Sequence, residues 1–504
     1  MDKYQDDSLM LHTDLYQINM LETYWRTGMD QRKAVFEVFF RKNPFENGYV
    51  IFAGLERVIQ YLRDLHFTES DIAYLRETGL YQEDFLDYLA KLDLNLTIHS
   101  MEEGELCFAS EPLMQVEGPL GHCQLVETAI LNIINYQTLI ATKASRIRAV
   151  IGKEDLVSEF GSRRAQEMDA AIWGTRAAYI GGFHSTSNVR AGKKFGIPIS
   201  GTHAHSLVQA YRDEYAAFKA YAETHKDVVF LVDTYDTLRS GVPTAIQVAK
   251  EMGDKINFIG LRIDSGDMAY QSKRIREQLD EAGFTEARII ASNDLDEKTI
   301  LNLRMQGAKI NDWGIGTKII TAFDQPALGA VYKLVSIENN SGDMVPTMKI
   351  SSNAEKMTTP GVKQVWRITG KKDGKSEGDY IALKEERPDQ ADSLFMFHPV
   401  HTYINKTVKN FHARPLLREI MVEGKLVYDL PSVDAIRTNA SHNYSYLWEE
   451  YKRILNPEQY PVDLSQNLYD KKMESIKQLR QRVQEKVDAL EEENPDRMQG
   501  GDLR

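Results

Sequence analysis

DVVFLVDTYD at residues 227–236 and INFIGLRIDSGD at 256–267 share one construction: an apolar run of strand length that stops in a cluster of carboxylates and hydroxyls. The same construction recurs between Leu156 and Lys318, in EFGSRR (159–164), GGFHSTSN (181–188), SGTHAHS (200–206), ASNDLD (291–296) and GIGTK (314–318). Helical stretches lie between these endings. VPTAIQVAKEMG and MAYQSKRIREQLDEAG are amphipathic and close on Gly253 and Gly283. The repeat distance, mostly about 20 to 30 residues, is too long for a hairpin and suits a parallel crossover. Strands that end in chemistry predict a TIM-like β/α barrel, whose active site forms at the C-terminal ends of its strands.

Working outward, residues 1–140 read as an α+β domain. A helix in LYQINMLETYWRTG precedes a strand in KAVFEVFFR, and Thr68–Asp93 and Leu125–Ala144 read as helical. The barrel is assigned to 141–345. Residues 346–504 form a C-terminal segment that returns in part to the N-terminal domain, with short strands expected in VPTMKIS and KQVWRIT. A charged helix from Ser465 to Glu493 lies on the surface or against a partner chain, and the tail after it is frayed.

A 504-residue chain with 42% hydrophobic and 27% charged residues is an ordinary globular composition with room for two or three domains. The net charge of −13 argues against nucleic-acid binding. A local Arg and Lys cluster can still hold a small anion. No apolar run approaches the roughly 18 residues of a membrane span, and MDKYQDDSLM is too polar for a signal peptide. Cys107 and Cys123 form neither a disulfide framework nor a zinc spacing and read as buried thiols. A cytoplasmic location follows.

Several endings carry candidate chemistry. In SGTHAHS, Gly201 and Thr202 turn backbone N–H groups and a hydroxyl out of a strand end. His203 and His205 share a side only if the segment stays extended; a helix beginning at Thr202 would put His205 on its first turn. A neutral imidazole there could be a general base, a metal ligand or a nucleophile, or simply a hydrogen-bonded histidine. In EFGSRR, Arg163 and Arg164 offer guanidinium to carboxylate or phosphate, and Phe160 offers a ring face. RIDSGD combines Arg262, Asp264, Ser265, Gly266 and Asp267. VDTYD adds Asp233, and an Asp236 that can serve as an N-cap. GIGTK supplies Gly314, Gly316, Thr317 and Lys318 for close approach of an anion, without P-loop spacing. Gathered on one barrel, these groups suit a phosphorylated sugar and an anionic partner.

The strings TDLYQ, FEVFFRKNPF, FAGLE, EFGSRRAQ, GTHAHS, VDTYDT, RIDSGD and GIGTK, in this order, resemble the bacterial nicotinate phosphoribosyltransferases from about Leu9 to Arg367, and more loosely to the C-terminus. The resemblance implies an irregular β/α barrel packed on an α+β domain made from N- and C-terminal segments, and a homodimer with shared sites. It implies transfer of phosphoribosyl from phosphoribosyl pyrophosphate to nicotinate, the first step of NAD salvage from nicotinate, coupled to ATP hydrolysis with Mg²⁺. His205 then corresponds to the phosphorylated histidine. Tyr16, Phe160, Arg163, Thr202 and Arg262 correspond to nicotinate contacts, with Tyr16 reaching the partner's site. Asp233, Asp264, Ser265, Gly266, Gly316 and Thr317 correspond to phosphoribosyl and phosphate contacts, with Asp264 a possible Mg²⁺ ligand. The chain departs from the family pattern at His184 and Ser185, which puts Ser187 and Asn188 in doubt as phosphate contacts. Nicotinamide and quinolinate phosphoribosyltransferases are the nearest rivals. The first needs a carboxylate for the amide, and the second more Arg and Lys than the endings supply.

Overall fold

The computed structural model describes residues 8–350 and 357–493. The runs that end in chemistry form a six-stranded parallel sheet. Its order is Ser185–Thr186, Leu156–Glu159, Asp312–Ile315, Arg288–Asn293, Asn257–Ile263 and Asp227–Leu231. Parallel strands covered on both faces must be apolar throughout. Val157, Phe230, Leu261, Ile263, Ile289, Ala291, Trp313 and Ile315 are accordingly buried. The sheet is a half-barrel rather than a closed cylinder. At its open side Thr186 makes a single parallel bridge to Ile199. Four residues on, the His203 ring accepts the Leu231 N–H through Nε2 at 3.1 Å. One imidazole thus spans the place where a further strand ladder would close the barrel.

Two endings are built differently from the sequence expectation. The apolar run before GGFHSTSN is a helix, Glu167–Ile180, buried on almost every side from Ala171 onward; the strand is only Ser185–Thr186, inside the ending itself. FGIPIS forms no strand beyond the one bridge. The helix after it starts at His205, not Thr202, and runs to Tyr211 with Ala204 at its N-cap.

The remaining strands make a sheet-rich region. Lys33–Phe40 pairs antiparallel with Met114–Pro119 on one side and with Ala330–Glu338 on the other, inside a seven-stranded sheet. The chain therefore leaves the parallel sheet by Ala330, within the span taken for the barrel. Arg418–Val422 joins the same sheet beside Thr97–Ser100, so the C-terminal segment does return to the N-terminal one. A four-stranded sheet holds Phe411–Pro415, Lys363–Gly370, Ser376–Leu383 and Val462–Leu464. KQVWRIT is thus a strand, whereas among the described residues of VPTMKIS only Val345 and Pro346 are, within Met344–Pro346; its last residue, Ser351, lies outside the described residues. Thr68–Asp93 divides into two helices, Glu69–Glu77, opened by a Thr68–Asp71 capping box, and Glu83–Ala90.

The helix Glu127–Val150 ties the regions together. Its buried Lys143 and Arg146 both pair with Glu297 at the start of the helix Glu297–Met305. The C-terminal helix Gln466–Glu493 buries Leu468 and Ile476 and leaves Val483 and Leu490 exposed. The tail from 494 lies outside the described residues.

Candidate active site

His205 is the first residue of its helix, and both ring nitrogens are engaged. Nδ1 lies 3.0 Å from the Thr234 hydroxyl, and Nε2 lies 3.1 Å from Asp264 Oδ1. The carboxylate fixes the proton on Nε2, which leaves the Nδ1 lone pair to accept from Thr234. Thr234 and Asp264 come from the endings VDTYD and RIDSGD, so two adjacent strand ends and the helix start at His205 build the group.

Asp233 organises the carboxylate side. Its Oδ2 accepts the Asp264 N–H at 2.8 Å and the Ser265 hydroxyl at 2.7 Å. Its Oδ1 is buried, lies 4.0 Å from His205 Nε2 and has no hydrogen-bond partner. Buried acceptors are rarely left unsatisfied, so Asp233 Oδ1 points to a ligand. His205, Asp233 and Asp264 offer ligand atoms within 4.8 Å of one another. Two carboxylate oxygens are the donor type that Mg²⁺ prefers, and phosphate oxygens would complete its octahedron.

Arg262 forms the opposite wall. It donates through Nε to Ser292 at 2.9 Å, through Nη1 to Thr202 at 2.9 Å and through Nη2 to Asp264 at 3.5 Å. Burial holds its pKa below the ordinary guanidinium value, with Asp264 and Asp233 opposing that shift and Arg163 adding to it. Three of its five N–H groups are spent within the chain, which leaves one on each Nη. Its guanidinium carbon lies 5.8 Å from the Phe160 ring centre. The ring packs on Gly314, where an added Cβ would sit 2.6 Å from two ring carbons, so glycine is required there. Gly316 abuts the Phe160 carbonyl and begins the turn into Thr317–Ile320.

The structure therefore joins His205, Asp233, Asp264, Ser265, Thr202, Arg262 and Phe160, with Gly316 and Thr317 adjoining. Gly266, at φ 78°, turns the chain from Ser265 to Asp267, which caps the helix Met268–Glu281. Arg163 is exposed on a short 3-10 turn, near enough for its charge to act on Arg262. Tyr16 does not join the group within the chain. It is 48% exposed on the helix Leu15–Thr27, with Glu127 and Asp14 nearby. Asp236 is an N-cap, and Lys318 is paired with Asp296 at 2.9 Å. Asn188 caps the helix Val189–Phe195 and reaches the Ser162 hydroxyl at 3.3 Å. His184 accepts the Val157 N–H through Nδ1, and burial pushes its pKa down to about 4, so it is a structural group.

Sequence reasoning passed over Thr234, Ser292 and Asn293. All three stand inside quoted endings, and a hydroxyl flanked by carboxylates in VDTYD was the available signal. Asn293 holds a left-handed backbone at φ 108° and donates from Nδ2 to the Asp264 carbonyl at 2.8 Å.

A parallel half-barrel that gathers a histidine, two carboxylates and a guanidinium on its strand ends places the chain among the α/β-barrel enzymes with chemistry at the C-terminal edge of the sheet. The chain belongs to the nicotinate phosphoribosyltransferase family. It matches the family's N-terminal domain over residues 11–135, the family's central profile over 156–368 and its C-terminal domain over 362–472. It is 62% identical to the nicotinate phosphoribosyltransferase of Bacillus subtilis over 96% of this chain and 99% of that one. With the Dictyostelium discoideum enzyme of the same name it shares 38% identity over 91% and 87% of the respective chains. The crystal structure of human nicotinic acid phosphoribosyltransferase superposes with a TM-score of 0.80 at 32% identity, covering 91% of this chain and 98% of that one. Among the described residues no helix is long and apolar enough to cross a membrane.

Proposed function

We propose that this chain is an ATP-coupled nicotinate phosphoribosyltransferase. It forms nicotinate mononucleotide and pyrophosphate from nicotinate and phosphoribosyl pyrophosphate, the entry of nicotinate into NAD salvage. The observation that carries the coupling is His205, held by Asp264 on one nitrogen and by Thr234 on the other. In that arrangement Nδ1 is the nucleophile toward the γ-phosphorus of ATP. A nitrogen–phosphorus bond forms, the bond to the bridging oxygen breaks, and ADP leaves. Asp264 stabilises the positive charge that develops on the ring. Phosphohistidine then favours productive substrate binding until water hydrolyses it.

In the transfer itself the pyridine nitrogen attacks the anomeric carbon and pyrophosphate departs with its bonding electrons. Positive charge grows on the ribose, and Asp233 and Asp264 are placed to oppose it. Ser265, Gly266, Gly316 and Thr317 are assigned to the phosphoribosyl group. Phe160 offers a stacking face for the pyridine. Arg163, exposed and close to Arg262, is the open cation for the nicotinate carboxylate, and Thr202 and Arg262 line the same wall. Bound through Asp233 and Asp264, Mg²⁺ would neutralise the leaving pyrophosphate. The fold is read as a cytoplasmic homodimer in which the partner subunit supplies the Tyr16 that stands outside its own site.

The test is nucleotide formation from nicotinate or nicotinamide with phosphoribosyl pyrophosphate, with and without ATP. Preferred use of nicotinate, accelerated by ATP, is expected. A preference for nicotinamide would overturn the substrate assignment, and indifference to ATP the coupling.

A further inference from the structure

The end of the strand Leu156–Glu159 buries a carboxylate that the proposed chemistry does not use. Glu159 is 1% exposed. Its Oε1 accepts the Gly161 N–H, and its Oε2 accepts the hydroxyls of Thr175 and Thr186, both at 2.8 Å. The three donors are neutral and come from three pieces of chain: the turn after the strand, the helix Glu167–Ile180 and the strand Ser185–Thr186. Burying a carboxylate is unfavourable, and burial raises the pKa of Glu159 against these three hydrogen bonds. Such a group is retained where several donors must be held together.

What it holds is the residue between its own backbone and Gly161. The Phe160 N–H donates to the Ile315 carbonyl at 2.7 Å, and the Gly161 N–H is captured by Glu159, so Phe160 is pinned on both flanks. Gly161 admits no side chain: a Cβ there would lie 2.7 Å from Glu159 Oε1 and 2.8 Å from the Gly316 carbonyl oxygen. The ring that emerges packs against Gly314, beside Arg262.

We infer that Glu159 is a positioning residue that sets the Phe160 ring for the aromatic substrate. The inference rests on the nicotinate reading above. The role needs hydrogen bonds at both ends of the carboxylate, not charge. Glutamine can keep the Gly161 bond with its oxygen and donate its amide to the two threonine oxygens, which can re-orient.

The test is a double-mutant cycle on the full-length enzyme, scored by KM for each substrate and by ATP-dependent labelling of His205. Glu159→Ala should raise the nicotinate KM about tenfold, with the phosphoribosyl pyrophosphate KM and the His205 labelling within about twofold of wild type. Glu159→Gln should restore the nicotinate KM to within about threefold. In a Phe160→Ala background, Glu159→Ala should add less than about twofold. A full second loss in that background, or an equal loss in both KM values and labelling, would overturn the inference. If Glu159→Ala does not fold, Gly314→Ala displaces the ring from its other face. It should give the same nicotinate-selective rise, and an unchanged nicotinate KM overturns the inference instead. A wild type that does not turn over nicotinate refutes the substrate reading and this role with it; turnover with an additive cycle refutes the role alone.

Discussion

Where the strand Lys363–Gly370 meets the turn at Glu105, Arg367 donates to Asp379 at 2.6 and 2.9 Å, to Glu105 at 2.6 Å and to the Leu106 carbonyl at 2.8 Å. At the mouth of the parallel sheet, Asp233 is just as deeply placed, yet one of its oxygens has no partner, and the nearby Arg163 stands open to solvent. The first region keeps its charges away from water, and the second does so only in part. In the first, opposite charges answer one another within the chain, as they also do where Arg176 meets Glu103 and Glu56. The second leaves capacity over. Buried ion pairs with excellent geometry roughly offset their own desolvation, so the seam is architecture. Unspent donors and acceptors at a strand edge lose free energy until something binds, which marks the mouth as the working region.

The largest effect separating the regions is expected at the seam. Arg367→Met strands Asp379 without its cation, leaves Glu105 with Arg414 alone, and should destabilise the fold by about 3–5 kcal/mol. Denaturant unfolding measures this, and nicotinate KM of the folded fraction should stay unchanged. A loss below about 1 kcal/mol would dissolve the contrast. At the mouth the pattern should invert. Arg163→Ala removes an exposed cation, so stability should hold. Nicotinate KM should rise about 10- to 100-fold, the worth of a charge-assisted hydrogen bond of about 1.5–3 kcal/mol. Steady-state kinetics with both pyridine substrates checks it, because nicotinamide KM should move far less.

The smallest effect concerns His184, which lies among Arg437, Arg148 and Asp312. Burial first, then the two arginines, pushes its pKa from 6.5 to about 4. Between those values the unfolded chain binds the proton and the folded chain does not. His184 therefore contributes stability that is present above about pH 6.5 and lost as pH falls toward 4. The slope is at most about 1.4 kcal/mol per pH unit, and solvent screening makes it smaller. His184→Asn should flatten unfolding free energy against pH in that window, and an unchanged slope would remove His184 from this role.

Much of the mouth was legible before the fold was seen, because parallel strands bring their ends to one edge whatever the spacing between them. His205 and Asp264 are 59 residues apart and still meet. What stayed hidden depends on long-range geometry. His203 closes the half-barrel through the Leu231 N–H, a role no local pattern encodes. The run before GGFHSTSN reads as a strand because its helix is buried nearly all round and lacks an amphipathic period. Ala330–Glu338 reads like one more barrel strand, since an apolar run does not declare which sheet it will join. Glu159 looked like part of a basic ending, and only burial beside Thr175 and Thr186 reveals its use.

The central claim is that the unspent capacity at the mouth serves a phosphohistidine. Incubating the full-length protein with γ-labelled ATP and then exposing it to mild acid tests this directly. Wild type should carry label that acid removes, and His205→Ala should carry none. Acid-stable label, or equal label on the variant, would contradict it.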